Sequence, residues 1–232
     1  MPLSIIATMK KIVLIIVLLI VLGSCKKVRM RPCPDCFFLY FENPQPENDS
    51  ELDRFPYRLR GMYKNEDSTF LKIDEDRMIL KYFGKSKIHK RELDSMRLEF
   101  LIYDNKIIRK ASKETIYLHL KGDSLELIET YLDTVFRFSY NQKAKRLNGQ
   151  LVLSTRDSIF WSTQFLSLTK NTLTLKDIYL PTDLKKLDSV TAIKAQVIDS
   201  MSYLIKPTRS EFKRILKIKH FGTDQVFTKV SK

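Results

Sequence analysis

The sequence has few of the residues from which catalytic and metal sites are usually built. It contains 3 cysteines and 3 histidines in 232 residues, and His89, His119 and His220 are far apart along the chain. The patterns G-x-S-x-G and H-E-x-x-H and the P-loop are also missing. We therefore predict a protein that is not an enzyme, with no catalytic residues, no metal site and no cofactor.

The sequence also lacks an uncharged apolar run of the roughly 20 residues that a membrane-spanning helix needs. A stretch from Ile5 reaches that length only by including Lys10 and Lys11, and a lysine near mid-bilayer costs about 3 kcal/mol. Two lysines followed by the apolar run Ile12–Leu22 and small residues are instead typical of a secretory signal. We predict that residues 1–24 are a signal peptide.

The residues at the end of this signal are Leu22-Gly23-Ser24-Cys25. They resemble the bacterial lipobox, which implies that Cys25 is lipidated and becomes the mature N-terminus. Its acyl chains would then hold the protein to a membrane, since each buried CH₂ contributes about 0.8 kcal/mol. The alternative is an ordinary signal or signal anchor in which Cys25 is incidental. Whether translation begins at Met1 or Met9 stays open.

The residues after Cys25 bear on location and redox state. Lys26-Lys27-Val28-Arg29 lacks the acidic cluster of surface-exported Bacteroidota lipoproteins, so we expect an anchor in the bacterial envelope, in the outer membrane and facing the periplasm. An oxidising envelope favours a local disulfide between Cys33 and Cys36. A metal site and a redox pair are the alternatives, although no second C-x-x-C occurs.

The chain is basic, with 41 Lys and Arg against 27 Asp and Glu and a formal charge of +14. Attraction to an anionic lipid surface is one interpretation. The lysines are spread along the chain without a long block of one sign, which favours an ordinary solvated surface. No nucleic-acid-binding motif is present, and we expect no nucleic acid partner.

From Phe55 onward apolar residues alternate with polar ones, which is the period of strands. Turn formers such as Lys121-Gly122-Asp123, Asn148-Gly149 and Lys170-Asn171 separate the runs. Lys85–Asp94 is polar and ambiguous, with a short helix as one interpretation. The sequence predicts a mainly β protein, an antiparallel meander forming a barrel or a sandwich.

One helix is predicted near the C-terminus. Thr208 and Glu211 have the spacing of a capping box, and Phe212 and Ile215 begin an apolar stripe at helical spacing. Thr191–Ala195 and Ser202–Lys206 are predicted strands on its N-terminal side, and Gln225–Val230 is a predicted closing strand.

Two similar segments follow one another in the body. Asp67–Leu71 is echoed by Asp157–Trp161, which suggests two β-units at about 55–140 and 147–232. We place residues 25–51 in a lipidated tether, because the prolines and turn formers of 43–50 cannot continue a strand, and residues 52–232 in one β-rich body.

The segment Gly61-Met62-Tyr63, the Asp-Ser strand starts and the helix start Lys206–Lys213 resemble a group of flavobacterial-type Bacteroidota envelope lipoproteins, over most of the mature chain. These motifs are structural, so the resemblance implies no activity. We predict a membrane-anchored envelope lipoprotein whose β-body is structural or binds an envelope protein. The alternative is a lipocalin-like carrier of a small apolar ligand. His119 is expected to face solvent and Trp161 to lie in the core.

Overall fold

The computed structural model describes residues 37–179, 181–190 and 195–230, and side chains in the second range from 182 to 187. The predicted signal peptide, Cys25, Cys33 and Cys36, and residues 191–194 of the predicted strand Thr191–Ala195 lie outside these ranges. The strands are β1 (Phe38–Phe41), β2 (Glu51–Leu52), β3 (Gly61–Lys64), β4 (Phe70–Ile73), β5 (Arg77–His89), β6 (Phe100–Ile102), β7 (Lys106–Arg109), β8 (Thr115–Lys121), β9 (Ser124–Arg137), β10 (Gln142–Leu147), β11 (Gln150–Asp157), β12 (Phe160–Thr169), β13 (Thr172–Asp177), β14 (Gln196–Val197), β15 (Ser202–Ile205) and β16 (Thr223–Lys229). The α-helices are α1 (Leu93–Met96), α2 (Pro181–Val190) and α3 (Arg209–Ile215).

Tight turns set the register of the hairpins. Asn148-Gly149 joins β10 to β11 with φ angles of 50° and 81°, both positive as a type I′ turn requires. Gly122 and Lys170 supply positive φ angles in the turns after β8 and β12. Ser68 and Ser158, the serines of the repeated Asp-Ser pair, both have a φ of 61° in hairpin turns. The three turns predicted from sequence are confirmed, and the repeat marks two similar turns.

The described strands form one sheet. Its main path is β2-β10-β11-β12-β13-β16-β3-β4-β5-β9-β8-β7-β6. β1 joins β12 through the pair Phe41 and Trp161, and β15 and β14 continue from β1. The pairing is antiparallel except between β1 and β15. The predicted mainly β class is confirmed, and the sheet is sandwich-like and not closed into a barrel.

The principal core lies on one face of this sheet and takes residues from β3 to β5 and from β9 to β13 with β16. Its largest side chains are completely buried: Phe55, Tyr63, Met78, Phe136 and Phe227. Because this core draws on both halves of the chain and β16 pairs with β3, residues 55–140 and 147–232 do not fold as two separate units. Residues 35–232 instead form one compact unit.

A second core lies on the opposite face of β11 and β12. Leu151 and Leu153 face the principal core, whereas Val152 between them faces the second. Strands that are buried on both faces have continuous apolar runs instead of alternation. This explains the three successive apolar residues at the start of β11.

Helix α3 covers the second core and begins at the predicted capping box. The Thr208 hydroxyl accepts the Glu211 N–H at 3.4 Å, and the Glu211 carboxylate accepts the Thr208 N–H at 2.9 Å. Phe212 then packs its ring 5.7 Å from that of Phe41 and 6.0 Å from that of Phe165. The predicted C-terminal helix is therefore confirmed.

A third core lies at the far end of the long hairpin of β5 and β9, under β6 to β8. Its buried residues are Phe100, Ile107, Ile116, Leu118 and Leu127. Lys85–His89, which the sequence left ambiguous, continues β5, and α1 follows only at Leu93. The segment is polar because Lys85 and Lys87 lie on the outer, solvent-exposed face of the sheet. Ile88 lies on the opposite face and packs against the third core.

The folded body begins earlier than predicted. Phe37, Leu39 and Phe41 are 5%, 5% and 1% exposed, so the boundary at residue 52 is wrong and Phe37–Leu52 belongs to the body. Residues 37–41 form a run of five apolar residues, and the second core provides the partner surface for three of them. Helix α2 was not predicted, although Pro181 at its first position is a recognised helix start signal.

Replacement of Phe41 by alanine tests this boundary. We expect Phe41→Ala to lower the free energy of unfolding by about 3 to 5 kcal/mol, because it opens a cavity in the second core. Phe38→Ala is the matched control: it lies on the same strand and is 36% exposed, so its effect should stay below about 1 kcal/mol. Urea unfolding measures both effects, and a loss for Phe41→Ala as small as that for Phe38→Ala would place the strand outside the core.

Candidate functional site

The residues predicted to carry chemistry, Cys25, Cys33 and Cys36, lie outside the described part of the chain, so their predicted roles stay predictions. His119 is exposed on β8 and Trp161 is 8% exposed in the second core. Both positions agree with the predictions made for them. The other candidate sites of the described body are its buried polar groups and its charged surface.

Asp177, at the end of β13, is a half-buried carboxyl that bonds to side chains of both neighbouring strands. Gln164 on β12 donates from Nε2 to Oδ1 at 2.6 Å, and Gln225 on β16 donates from Nε2 to Oδ2 at 3.4 Å. Burial raises the pKa of Asp177 above its ordinary value, while the hydrogen bond from Gln164 opposes the shift. Amides on both neighbouring strands thus hold a carboxyl at the polar end of the principal core.

The turn before β16 is held close to this carboxyl. Gly222 has a φ of 75°, and a Cβ there would lie 2.5 Å from the Asp177 carbonyl oxygen. Its N–H donates at 3.0 Å to the completely buried carboxylate of Asp183, and Lys186 lies 3.4 Å from the same carboxylate oxygen. These contacts fix backbone positions, so we interpret both carboxyls as structural groups.

Lys145 on β10 is a buried lysine that holds the N-terminal segment. It is 6% exposed and donates from Nζ to the carbonyl oxygens of Pro44 at 3.0 Å and Pro46 at 2.9 Å. Burial lowers the pKa of Lys145, and the surrounding carboxylates oppose that shift. Nearby, the Gln45 N–H donates to the Ser154 hydroxyl at 3.2 Å. This cluster explains how the proline-rich segment after β1 is fixed to the sheet.

A basic surface, which the sequence analysis did not predict, lies on the outer side of several neighbouring strands. Side chains on successive residues of a strand point to opposite faces, and residues paired across strands share a face. Tyr63, Leu71 and Leu80 pair in register and face the core, so the residues between them face outward. We call the resulting surface of β3, β4, β5, β9, β8 and β7 the outer lysine face.

Lysines dominate this face. Lys64, Phe70, Lys81 and Leu132 form one row across four strands, and a second row contains Lys85, Ile128, Tyr117 and Lys106. With the remaining positions, the described outward-facing residues of β3, β4, β5, β9, β8 and β7 include seven lysines: Lys64, Lys72, Lys81, Lys85, Lys87, Lys106 and Lys121.

The same set of outward positions has one acid, Glu126. Its carboxylate lies 3.2 Å from Lys121. The hydrogen bond from Lys121 lowers the pKa of Glu126, and the charges of Lys121, Lys85 and Lys87 add to the effect. The lysines of β5 and β8 thus act together on Glu126, which lies between them on β9.

Exposed apolar groups lie between the lysines. Phe83 is 40% exposed, Tyr117 53% and Leu132 66%. The ammonium of Lys64 lies 5.4 Å from the ring centre of Phe70, and that of Lys81 lies 5.3 Å from Phe83. Cations beside aromatic rings suit an anionic partner that also offers apolar contact. The pattern Lys81-x-Phe83-x-Lys85-x-Lys87 was the one local signal of this face in the sequence.

Replacement of Asp177 by asparagine tests the raised pKa. The folded protein keeps the Asp177 proton at pH values where the unfolded chain, with an ordinary pKa of 3.8, has lost it. Ionised Asp177 therefore costs stability, and this cost is absent below the unfolded pKa and grows as pH rises to the folded pKa. Relative to wild type, we expect the unfolding free energy of Asp177→Asn to rise through that window and then level off.

Urea unfolding at a series of pH values measures this difference. Asp224→Asn is the control, because Asp224 lies on the next strand with an exposed carboxylate 3.5 Å from Lys176. Its stability relative to wild type should not rise over the same window. An equal rise in both variants, or no rise in Asp177→Asn, would contradict a buried origin of the effect.

Within the described ranges, no group of three His, Cys, Asp or Glu side chains is placed to hold a metal ion. None of the helices in those ranges has the length and apolar character of a membrane span. Comparisons of the chain with protein-family models, curated proteins and solved structures find no match.

Proposed function

We propose that this protein is a lipid-anchored envelope protein, held by acyl chains on Cys25, whose β-body acts without catalysis as a structural or partner-binding unit. The observation that carries the proposal is the sequence Leu22-Gly23-Ser24-Cys25 after a signal-like apolar run. Acyl chains hold a protein stably when two or more are present. The location that follows is the outer membrane, with the body facing the periplasm.

The extent of the body supports this arrangement. Phe37 is buried, and its N–H donates to the Tyr179 carbonyl at 3.0 Å. The tether therefore shortens from residues 25–51 to residues 25–36. Twelve residues of chain span at most about 40 Å. An anchor at Cys25 would keep the whole body close to the membrane surface.

The chemistry of the buried polar groups supports a body that binds instead of catalysing. Asp177 is held by two amides and Lys145 by two backbone carbonyls. A general base must reach the proton that it takes from a substrate, whereas the hydrogen bonds of Asp177 and Lys145 hold neighbouring segments of the fold together. We therefore assign these groups to the fold, and the function to the surface of the body, with an envelope protein as its partner.

The carrier of a small apolar ligand is the weaker alternative. It requires a closed barrel with space inside. The sheet is not closed, and the principal core is filled by large side chains such as Phe55, Phe136 and Phe227, all completely buried. No observation favours this alternative, so we propose the binding role.

Lipidation of Cys25 is the direct test. Wild type should partition into the membrane fraction and show an intact mass that includes acyl chains, whereas Cys25→Ala should lack that mass and leave the membrane pool. Cys36→Ala is the matched control, because it also removes one cysteine and leaves Leu22–Cys25 unchanged, and it should behave as wild type. The absence of an acyl mass from all three proteins would overturn the proposal.

A further inference from the structure

We propose that the outer lysine face lies against anionic lipid headgroups of the membrane that carries the anchor. The inference rests on the proposed function for its setting, because the anchor brings the membrane within reach. It adds the orientation of the body and a second, electrostatic contact with lipid.

Charge complementarity is the first argument. Of the outward lysines, Lys72 pairs with Asp74 at 2.9 Å and Lys121 with Glu126 at 3.2 Å. Within the described part of the chain, the other five have no carboxylate at ion-pair distance. An unneutralised lysine near an anionic bilayer contributes about 1 kcal/mol, and the attraction falls off within a Debye length.

The apolar groups of the face give the second argument. The core of an interface between folded proteins is depleted of charged residues. On this face each exposed apolar group has a lysine as a direct neighbour: Phe83 lies between Lys81 and Lys85 on β5, Leu132 pairs with Lys81, and Tyr117 pairs with Lys106. Aromatic rings between lysines are instead suited to the headgroup region, where a ring can enter the boundary while ammonium groups stay beside phosphates. The composition of the face therefore favours a lipid surface over a folded protein partner.

Reach is the third argument. The described body begins at Phe37, next to β1. In the sheet, β4 is the fifth strand from β1, after β12, β13, β16 and β3. At roughly 4.8 Å a strand this is about 24 Å, which is less than the roughly 40 Å that the twelve residues from Cys25 can span. The acyl chains and the outer lysine face can thus contact one bilayer together.

The test uses the chain from residue 25 with Cys25→Ser, which has no lipid and keeps the compact unit of residues 35–232 whole. Its binding to phosphatidylcholine vesicles with and without phosphatidylglycerol is measured by cosedimentation. We expect binding only with phosphatidylglycerol, and weaker binding as salt is raised. Equal binding to both vesicles, or no binding to either, would overturn the inference.

A charge-matched pair of variants locates the contact. Lys81→Gln with Lys85→Gln and Lys87→Gln removes three charges from the outer lysine face, and should weaken binding about a hundredfold at about fivefold for each lysine. The control removes three exposed lysines near α2 and α3: Lys185→Gln with Lys217→Gln and Lys219→Gln. It should change binding less than threefold or so. Equal losses would show a response to net charge and overturn the inference.

A different ligand for the outer lysine face and a missing lipid on Cys25 would give distinguishable results. If the chain does not bind phosphatidylglycerol vesicles but binds an acidic polysaccharide through the same three β5 lysines, the outer lysine face binds an anionic partner other than lipid, and the inference is overturned. If Cys25 proves to carry no lipid while the β5 variant still loses vesicle binding, the anchor fails and the surface contact stands. Circular dichroism and thermal unfolding confirm that both triple variants are folded.

Discussion

The structure depends on burial of β11 and β12 on both faces. Leu151 and Leu166 close the principal core from one side, and Val152 and Phe165 receive β1 and α3 on the other. Each such side chain contributes about 1.5 to 3 kcal/mol when it is fully buried. Since the two cores share these strands, the N-terminal strand and the C-terminal helix cannot detach without exposing the back of the main sheet. The N-terminal and C-terminal segments are thereby fixed to the strands in the middle of the chain.

The long hairpin of β5 and β9 extends the sheet beyond the principal core. At its middle, Tyr82 and Tyr131 stack with ring centres 5.2 Å apart, and a Cβ on Gly84 would lie 2.6 Å from the Tyr131 ring. Glycine at this point lets the tyrosine lie across the strand. The two tyrosines thus lie on the inner side of the hairpin between two cores, with Tyr131 39% exposed.

Local patterns predicted the fold where the cause is local. The Asn148-Gly149 turn and the Thr208 capping box are each determined by a few adjacent residues, and both were predicted. The strand Phe38–Phe41 was placed in the tether because Pro44 and Pro46 indicated a linker, whereas the deciding contact is with Phe212, far along the chain. The outer lysine face was missed for the same reason. Its lysines come from strands separated by up to 57 residues and become neighbours only through register.

Position in the register, more than composition, separates the roles of the lysines. Lys145 points into a shell of backbone carbonyls and serves the fold, whereas Lys85 points outward and adds to a surface potential. A face of this kind binds reversibly when it is alone, because each exposed lysine contributes only about 1 kcal/mol and salt screens it. An anchor changes the balance, since a short tether raises the effective concentration of the surface to the millimolar range and makes the second contact intramolecular. Weak, dispersed lysines are then sufficient to orient a body that the acyl chains already hold.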